Sequence, residues 1–162
     1  MNQTEINETI QASIDQVWEV LFSQYGDIHI HNPLMTASNY MHGATEGGPD
    51  VVRHCEFGKK FYLDEKITDV DEQKSFRVEA GEHNFPFVTH MSATYELSSP
   101  DENTTEVHMV SFNSYAPGFM RHLLGRQTKK TLAKHLFGLR YYIETGNTLD
   151  PDNYDEIFAA HT

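Results

Sequence analysis

One stretch near the end of the chain, residues 117–145, most limits what the rest can become. Met120, Leu124, Thr128, Leu132, Leu136, Leu139 and Ile143 recur at steps of three or four, so a single helix would carry them as one mostly apolar stripe. Pro117 suits a first turn, and Gly146-Asn147 followed by Pro151 supplies a stop. The spacing predicts a helix of about 29 residues, roughly 43 Å long. Such a helix far exceeds the ~11-residue mean and needs a whole sheet to cover its stripe. Gly125 and Gly138 leave a second reading open, two shorter helices, because an interior Gly costs about 1 kcal/mol relative to Ala.

The upstream sequence supplies strands. Residues 4–12 alternate Ile6 and Ile10 with polar neighbours and read as a half-buried strand. Ser13 is an N-cap by type, and Ile14, Val17, Trp18, Leu21 and Phe22 at helical spacing predict about ten residues of helix ending near Tyr25-Gly26. Packing alone accounts for Trp18 on that stripe. A short irregular or helical link over 27–33 ends at Pro33. Six strand-like runs follow, over 35–44, 51–57, 61–70, 75–80, 88–97 and 105–115, with turn-rich joints between them. Joints that short make neighbouring strands antiparallel. A twisted seven-stranded sheet with one apolar face curls around a long helix that arrives last. A curved sheet cannot touch a straight helix everywhere, so a cavity is expected between them.

Composition narrows the function class. The 162 residues, 38% hydrophobic, fit one domain with a substantial core, read as a ligand-binding domain over 1–147 and a C-terminal tail over 148–162. No apolar run approaches the ~18 to 20 residues of a bilayer span, so no integral membrane association is expected. The first ten residues show no basic or apolar signal segment, and the lone Cys55 cannot form an intramolecular disulfide, so a cytoplasmic location is expected. A net charge of −12 argues against nucleic acid. That charge is uneven: residues 117–145 set Arg121, Arg126, Lys129, Lys130, Lys134 and Arg140 against Glu144 alone, +5, which leaves −17 on the remainder. A basic helix on an acidic body can attract an anionic ligand or surface, or can be a solvated face offset by nearby carboxylates.

Several stretches are similar to a known superfamily. Ala12-Ser-Ile-Asp-Gln-Val-Trp-Glu-Val-Leu21 ahead of Tyr25-Gly-Asp-Ile28 and His31-Asn-Pro33 resembles the opening of the START-related (SRPBCC, birch-pollen-allergen-like) helix-grip proteins, among them the polyketide cyclase/dehydrase-like group. Val51-Val-Arg-His-Cys-Glu-Phe57, Leu63-Asp-Glu-Lys-Ile-Thr-Asp-Val-Asp71 and Ser75-Phe-Arg-Val-Glu-Ala-Gly-Glu-His83 resemble its central strands, and the likeness runs over about 3–147. It implies an α+β helix-grip fold: a seven-stranded curved antiparallel sheet wrapped on a long C-terminal helix, with two short helices after the first strand. Residues 65–83 are also similar to the plant abscisic-acid receptors. That likeness would put Glu65 and Phe76 in the pocket wall and His83 in a lid-like loop. The receptors' Ser-Gly-Leu-Pro-Ala gate is here Glu56-Phe-Gly-Lys-Lys60, so a lidded pocket is implied and hormone sensing is not.

Strand alternation sorts the pocket face. With Phe61, Leu63 and Ile67 inward, Glu65 is carried inward too, and Val51, Arg53 and Cys55 share a face on the neighbouring strand. A buried carboxylate and a buried guanidinium are tolerable only as a pair, so Arg53 and Glu65 are predicted to meet inside the cavity. They would serve there as a polar anchor for a ligand head group, as an acid/base pair, or as a structural ion pair. Leu63, Phe76, Val78 and Met109 are expected as walls, Met120 and Leu124 as the helix side, and His83 and Phe85 as the loop; with Arg53, Cys55 and Glu65 they form the expected ligand-binding set.

Ten histidines include His29-Ile-His31, but no His-x-x-x-His or Cys pair supports a metal site, and none is assigned, nor is a cofactor. His54 points away from Cys55 along the strand, so Cys55 reads as a core thiol. Three functions fit, for a monomer or a homodimer. The first is a non-catalytic binder of a small hydrophobic or amphipathic molecule, and the second a polyketide cyclase-type enzyme using Arg53 and Glu65. The third is a chaperone-activating interaction protein whose basic helix is the contact surface.

Overall fold

The computed structural model describes residues 1–161. Strand β1 (Asn2–Ile10) turns Thr4, Ile6 and Ile10 inward and Gln3 and Glu5 to solvent. Ser13 then caps α1 (Ile14–Trp18): its Oγ accepts from the Gln16 backbone N–H at 3.3 Å, while Gln16 Oε1 accepts from the Ser13 N–H at 3.0 Å. The helix expected to run ten residues keeps α-geometry for five. It widens into a π-type turn at Glu19–Ser23 and a 3-10 stretch at Tyr25–Ile30. The reason lies in the Ser23 carbonyl, which bonds to the Gly47 N–H at 2.9 Å and the Tyr40 hydroxyl at 3.0 Å instead of to a further helical turn.

Strands β2 (Ala37–Tyr40), β3 (Val52–Phe57), β4 (Phe61–Asp71), β5 (Ser75–His83), β6 (Val88–Asp101) and β7 (Thr104–Tyr115) complete a seven-stranded antiparallel sheet in the order β1-β7-β6-β5-β4-β3-β2. β2 is shorter than the expected 35–44 because His42 and Gly43 take left-handed backbone angles, φ 57° and 78°, and lead the chain off the sheet edge. Register shifts in β4–β5, after Leu63 and after Ile67, and in β6–β7, after Val88 and after Ser98, add curvature. The core fills the closed end of the arch, where Trp18 and Phe22 stack at 4.4 Å and both meet Phe76, at 5.7 and 5.2 Å.

The long helix α2 (Met120–Thr145) is one unbroken element of 26 residues ending at Gly146, φ 75°. Its second half is buried at 135–139, where Gly138 presses against the His31 carbonyl. Arg140 pins this half to β1 through Glu8, 3.0 Å, and bonds Glu144 at 3.3 Å; Glu144 in turn accepts from the Gln11 N–H at 2.8 Å. The first half is solvated on its outer side. The segment expected as a tail carries a third helix, α3 (Tyr154–Ala160), which folds onto the back of α2. Leu149 and Tyr154 cover Phe137 there, and the Tyr154 and Phe137 rings meet edge-on at 5.9 Å.

Candidate functional site

Sheet and helix part company ahead of His135 and enclose a cavity of about 580 Å³. Phe57, Phe61, Leu63, Ala93 and Met109 form the sheet wall, and Leu124, Thr128, Thr131 and Leu132 the helix wall. Phe85 and Pro86 from the β5–β6 link and Val88 at the start of β6, with Leu34 and Met35, narrow the mouth. A second hollow, about 600 Å³, lies on the opposite, convex face among Asp64, Lys66, Thr68 and Glu79; these are outward residues of alternating strands, and it is a solvent-facing groove.

The deep end of the cavity is polar. Arg53 and Glu65 are cross-strand partners in β3 and β4, and the Arg53 Nη2 and Nε donate to Glu65 Oε1 at 3.0 and 3.3 Å. Nη1 donates to the Tyr25 carbonyl at 3.1 Å, and the guanidinium carbon sits 3.9 Å above the Tyr25 ring. Arg53 is 3% exposed. Burial opposes its charge, but the Tyr25 ring and the Glu65 carboxylate outweigh that, and its pKa moves up from an already high value. Among the described residues the hydrogen bonds to the Glu65 carboxylate, from Arg53 Nη2 and Nε and from the Cys55 thiol at 3.9 Å, all fall on Oε1.

Tyr95 and His135 finish this end. The Tyr95 hydroxyl lies 3.0 Å from His135 Nε2, and both side chains line the cavity. Burial, reinforced by nearby Arg53, pushes the His135 imidazole down to about 3, so it is neutral at physiological pH. His31, stacked 6.0 Å from it, is likewise driven well below the ordinary histidine value, first by burial and then by His135. Neither Nδ1 has a hydrogen-bond partner among the described residues. Burial also lifts the Cys55 thiol to about 12 and keeps Tyr95 protonated. A buried thiol of this kind is no nucleophile.

Of the residues expected at the site, Arg53, Leu63, Glu65, Phe85, Met109 and Leu124 line the cavity, and Arg53 and Glu65 meet there as the alternation required. The other five lie elsewhere. Phe76 and Val78 share the inward face of β5 but sit toward the closed end, packed in the core; Phe76 stacks on Tyr95 at 4.8 Å. Cys55 is fully buried behind the ion pair. His83 ends strand β5 and is no loop residue; its Nδ1 accepts the Phe85 N–H at 3.2 Å. Met120 starts α2 one turn short of the cavity, and Leu124 reaches it instead. Tyr95 and His135 line the cavity without being in the expected set. Their signal was the inward alternation of β6 and a place one turn after Thr131 and Leu132 on the helix stripe. Among the described residues no group of three or more His, Cys, Asp or Glu is placed to hold a metal ion.

The family described as polyketide cyclase / dehydrase and lipid transport matches residues 1–144. The chain belongs to this family. No curated protein matches the sequence. Solved structures do: the Zhui aromatase/cyclase from a Streptomyces species is 18% identical with a TM-score of 0.71, covering 91% of this chain and 99% of its own. A START superfamily protein from Mycobacterium smegmatis is 15% identical, TM-score 0.66, with 87% of this chain and 98% of its own covered. Norcoclaurine synthase from Thalictrum flavum, in complex with dopamine and hydroxybenzaldehyde, is 15% identical, TM-score 0.65, with 91% and 89% covered. At these identities the likeness establishes the helix-grip fold that this polyketide cyclase/dehydrase and lipid transport member shares with them.

Proposed function

We propose that the cavity holds a small apolar or amphipathic molecule, with its polar end at Arg53 and Glu65, and that it does so without turning it over. The observation that carries this reading is the make-up of one cavity of about 580 Å³: its walls are largely apolar, with Phe57, Leu63, Met109 and Leu124 among them, wall polar groups such as Ser111 with Asn113 and Tyr115 with Thr128 bond each other, and the charged lining side chains, Arg53 and Glu65, sit together at the deep end. Pockets of that size and make-up suit small ligands, and the few convergent polar groups set orientation. Glu65 Oε2 receives no hydrogen bond from a described residue and is the acceptor a ligand hydroxyl or amine would meet.

Binding is favoured over catalysis by the proton-transfer groups. An efficient acid or base needs a pKa near working pH. Here His135 is depressed to about 3, Cys55 is raised to about 12, and Tyr95 is raised further. Glu65 beside Arg53 is the residue a cyclase-type reaction would fall to. Native mass spectrometry of freshly purified protein should show a co-purified molecule that is released on denaturation. With that molecule as ligand, Glu65→Gln should keep most of the affinity. A loss of turnover by roughly 10² to 10⁴ in the same variant would instead establish an enzyme.

A further inference from the structure

We propose that the mouth end of the molecule docks on an anionic lipid bilayer. Three segments flank the cavity mouth: the β3–β4 turn with the strand residues beside it, 57–61, the β5–β6 link with Val88, 84–88, and the end of β7 with the first turns of α2, 115–130. Register puts the two strand-joining turns and Tyr115 at one end, since Phe57 pairs with Phe61, Leu63 with His83 and Val88 with Tyr115, and the start of α2 lies there too, its Thr128 hydroxyl 3.0 Å from that of Tyr115 and its Gly125 beside the side chain of Asn2. These segments contain Lys59, Lys60, Arg121, Arg126, Lys129 and Lys130, and no Asp or Glu. They hold half of the chain's 12 Lys and Arg, in a protein with 24 Asp and Glu. None of the six forms an ion pair; the Arg and Lys ion pairs of the described residues use Arg53, Arg77 and Arg140. The far end of the sheet has the opposite character, with Asp71, Glu72, Asp101 and Glu102 exposed in its turns.

The same rim displays apolar side chains. Of the six large hydrophobic residues exposed among those described, Phe87 (49%), Phe119 (63%) and Leu123 (65%) sit on these segments. Met1 (80%) precedes Asn2, which pairs with Asn113 near the same end. Basic and apolar side chains interleaved on one rim are what an interfacial surface presents to anionic headgroups and the acyl boundary beneath them. Seated this way, the cavity would open into the apolar phase, so an apolar molecule could pass without crossing water. Docking does not rest on the binding reading above; it holds or fails whether or not the cavity is filled.

Sedimentation of the full chain with vesicles tests this, using phosphatidylcholine alone and phosphatidylcholine mixed with phosphatidylserine. The protein should pellet with the mixed vesicles at least about tenfold more strongly than with phosphatidylcholine, despite its net charge of −12, and added salt should weaken the association. Reversing Arg126, Lys129 and Lys130 to Glu should abolish pelleting, while Lys74→Glu at the opposite end leaves it intact. All four side chains are exposed, so the fold is kept. Leu123→Trp should shift its emission to the blue on vesicle addition, against a constant contribution from Trp18, which is 3% exposed in the core. No pelleting with either vesicle, pelleting indifferent to charge reversal, or an unshifted Leu123→Trp emission overturns the proposal. Capture of an acidic protein in the absence of vesicle binding overturns it equally.

Discussion

At Glu65 a carboxylate holds a guanidinium that has almost no water around it. Removing one partner of a buried pair strands the other, which costs about 3 kcal/mol or more. Glu65→Leu should therefore lower stability by about 3 kcal/mol in chemical denaturation, or roughly 6 to 12 °C in Tm. Glu65→Gln keeps an acceptor for Arg53 Nη2 and should cost less; equal losses in the two variants would mean that the pair is not what secures Arg53. His135 makes a second, pH-dependent case. Above pH about 6.5 neither the folded nor the unfolded chain protonates it. Below that, the unfolded chain takes up a proton that the folded one refuses until about pH 3, so this residue removes stability as acid is added. His54 and His108, raised chiefly by bonds to Asp64 and Glu96, act the other way: their contribution is present below pH about 6.5 and is lost as pH rises through their folded values. Subtracting His135→Gln from the parent isolates the effect. The parent should lose up to about 1.4 kcal/mol more per pH unit between pH 6 and 4, measured by urea denaturation. Alternation made Arg53 and Glu65 legible because a face is all that their pairing needs. Phe76 and Val78 share that face and still miss the cavity, since depth along a strand leaves no mark in its period of two.

Among the elements, α2 was the most legible. Its apolar repeat and the Gly146 stop bring the expected span within three residues of the observed start, and the break considered at Gly125 or Gly138 does not occur. The two glycines do different jobs. A Cβ at Gly138 would drive into the His31 carbonyl and meet Pro33 Cδ at 2.8 Å, so that glycine sets how close the helix lies to the 31–33 link. A Cβ at Gly125 would meet only the end of the Asn2 side chain, at 3.3 Å. Gly125→Ala should thus gain about 0.5 to 1 kcal/mol from helix propensity, and Gly138→Ala should lose at least about 2 kcal/mol despite the same propensity gain. A thermal melt of each suffices, and matching shifts in the two would refute the close approach. α1 was over-read because its apolar spacing continues through Leu21 and Phe22. The contacts that end it, Gly47 and Tyr40 on the Ser23 carbonyl, come from residues far along the chain.

For the molecule as a whole, the sheet order and the hollow under α2 follow from short joints and a terminal stripe. The covering of the helix's back was missed. Tyr154, Ile157 and Phe158 stand at helical spacing after Asp150-Pro-Asp-Asn153, a start signal for a helix, but a spacing of seven residues does not say which surface it packs on. Leu149 and Tyr154 keep Phe137 at 2% exposure. Ending the chain after Gly146 should leave the sheet and cavity in place, lower stability by about 2 to 4 kcal/mol, and promote self-association through Phe137 and Tyr141, visible by denaturation and light scattering. An unchanged denaturation midpoint would show that α3 contributes no stability. The pairing of β1 with β7 reaches further than the finished fold. Ile6 lies opposite Met109, about a hundred residues later, so the first strand of this sheet leaves the ribosome well before its partner, the last of the seven, is made. Through most of synthesis its apolar face has no lasting neighbour, and the arch can close only once Tyr115 and the helix behind it have emerged.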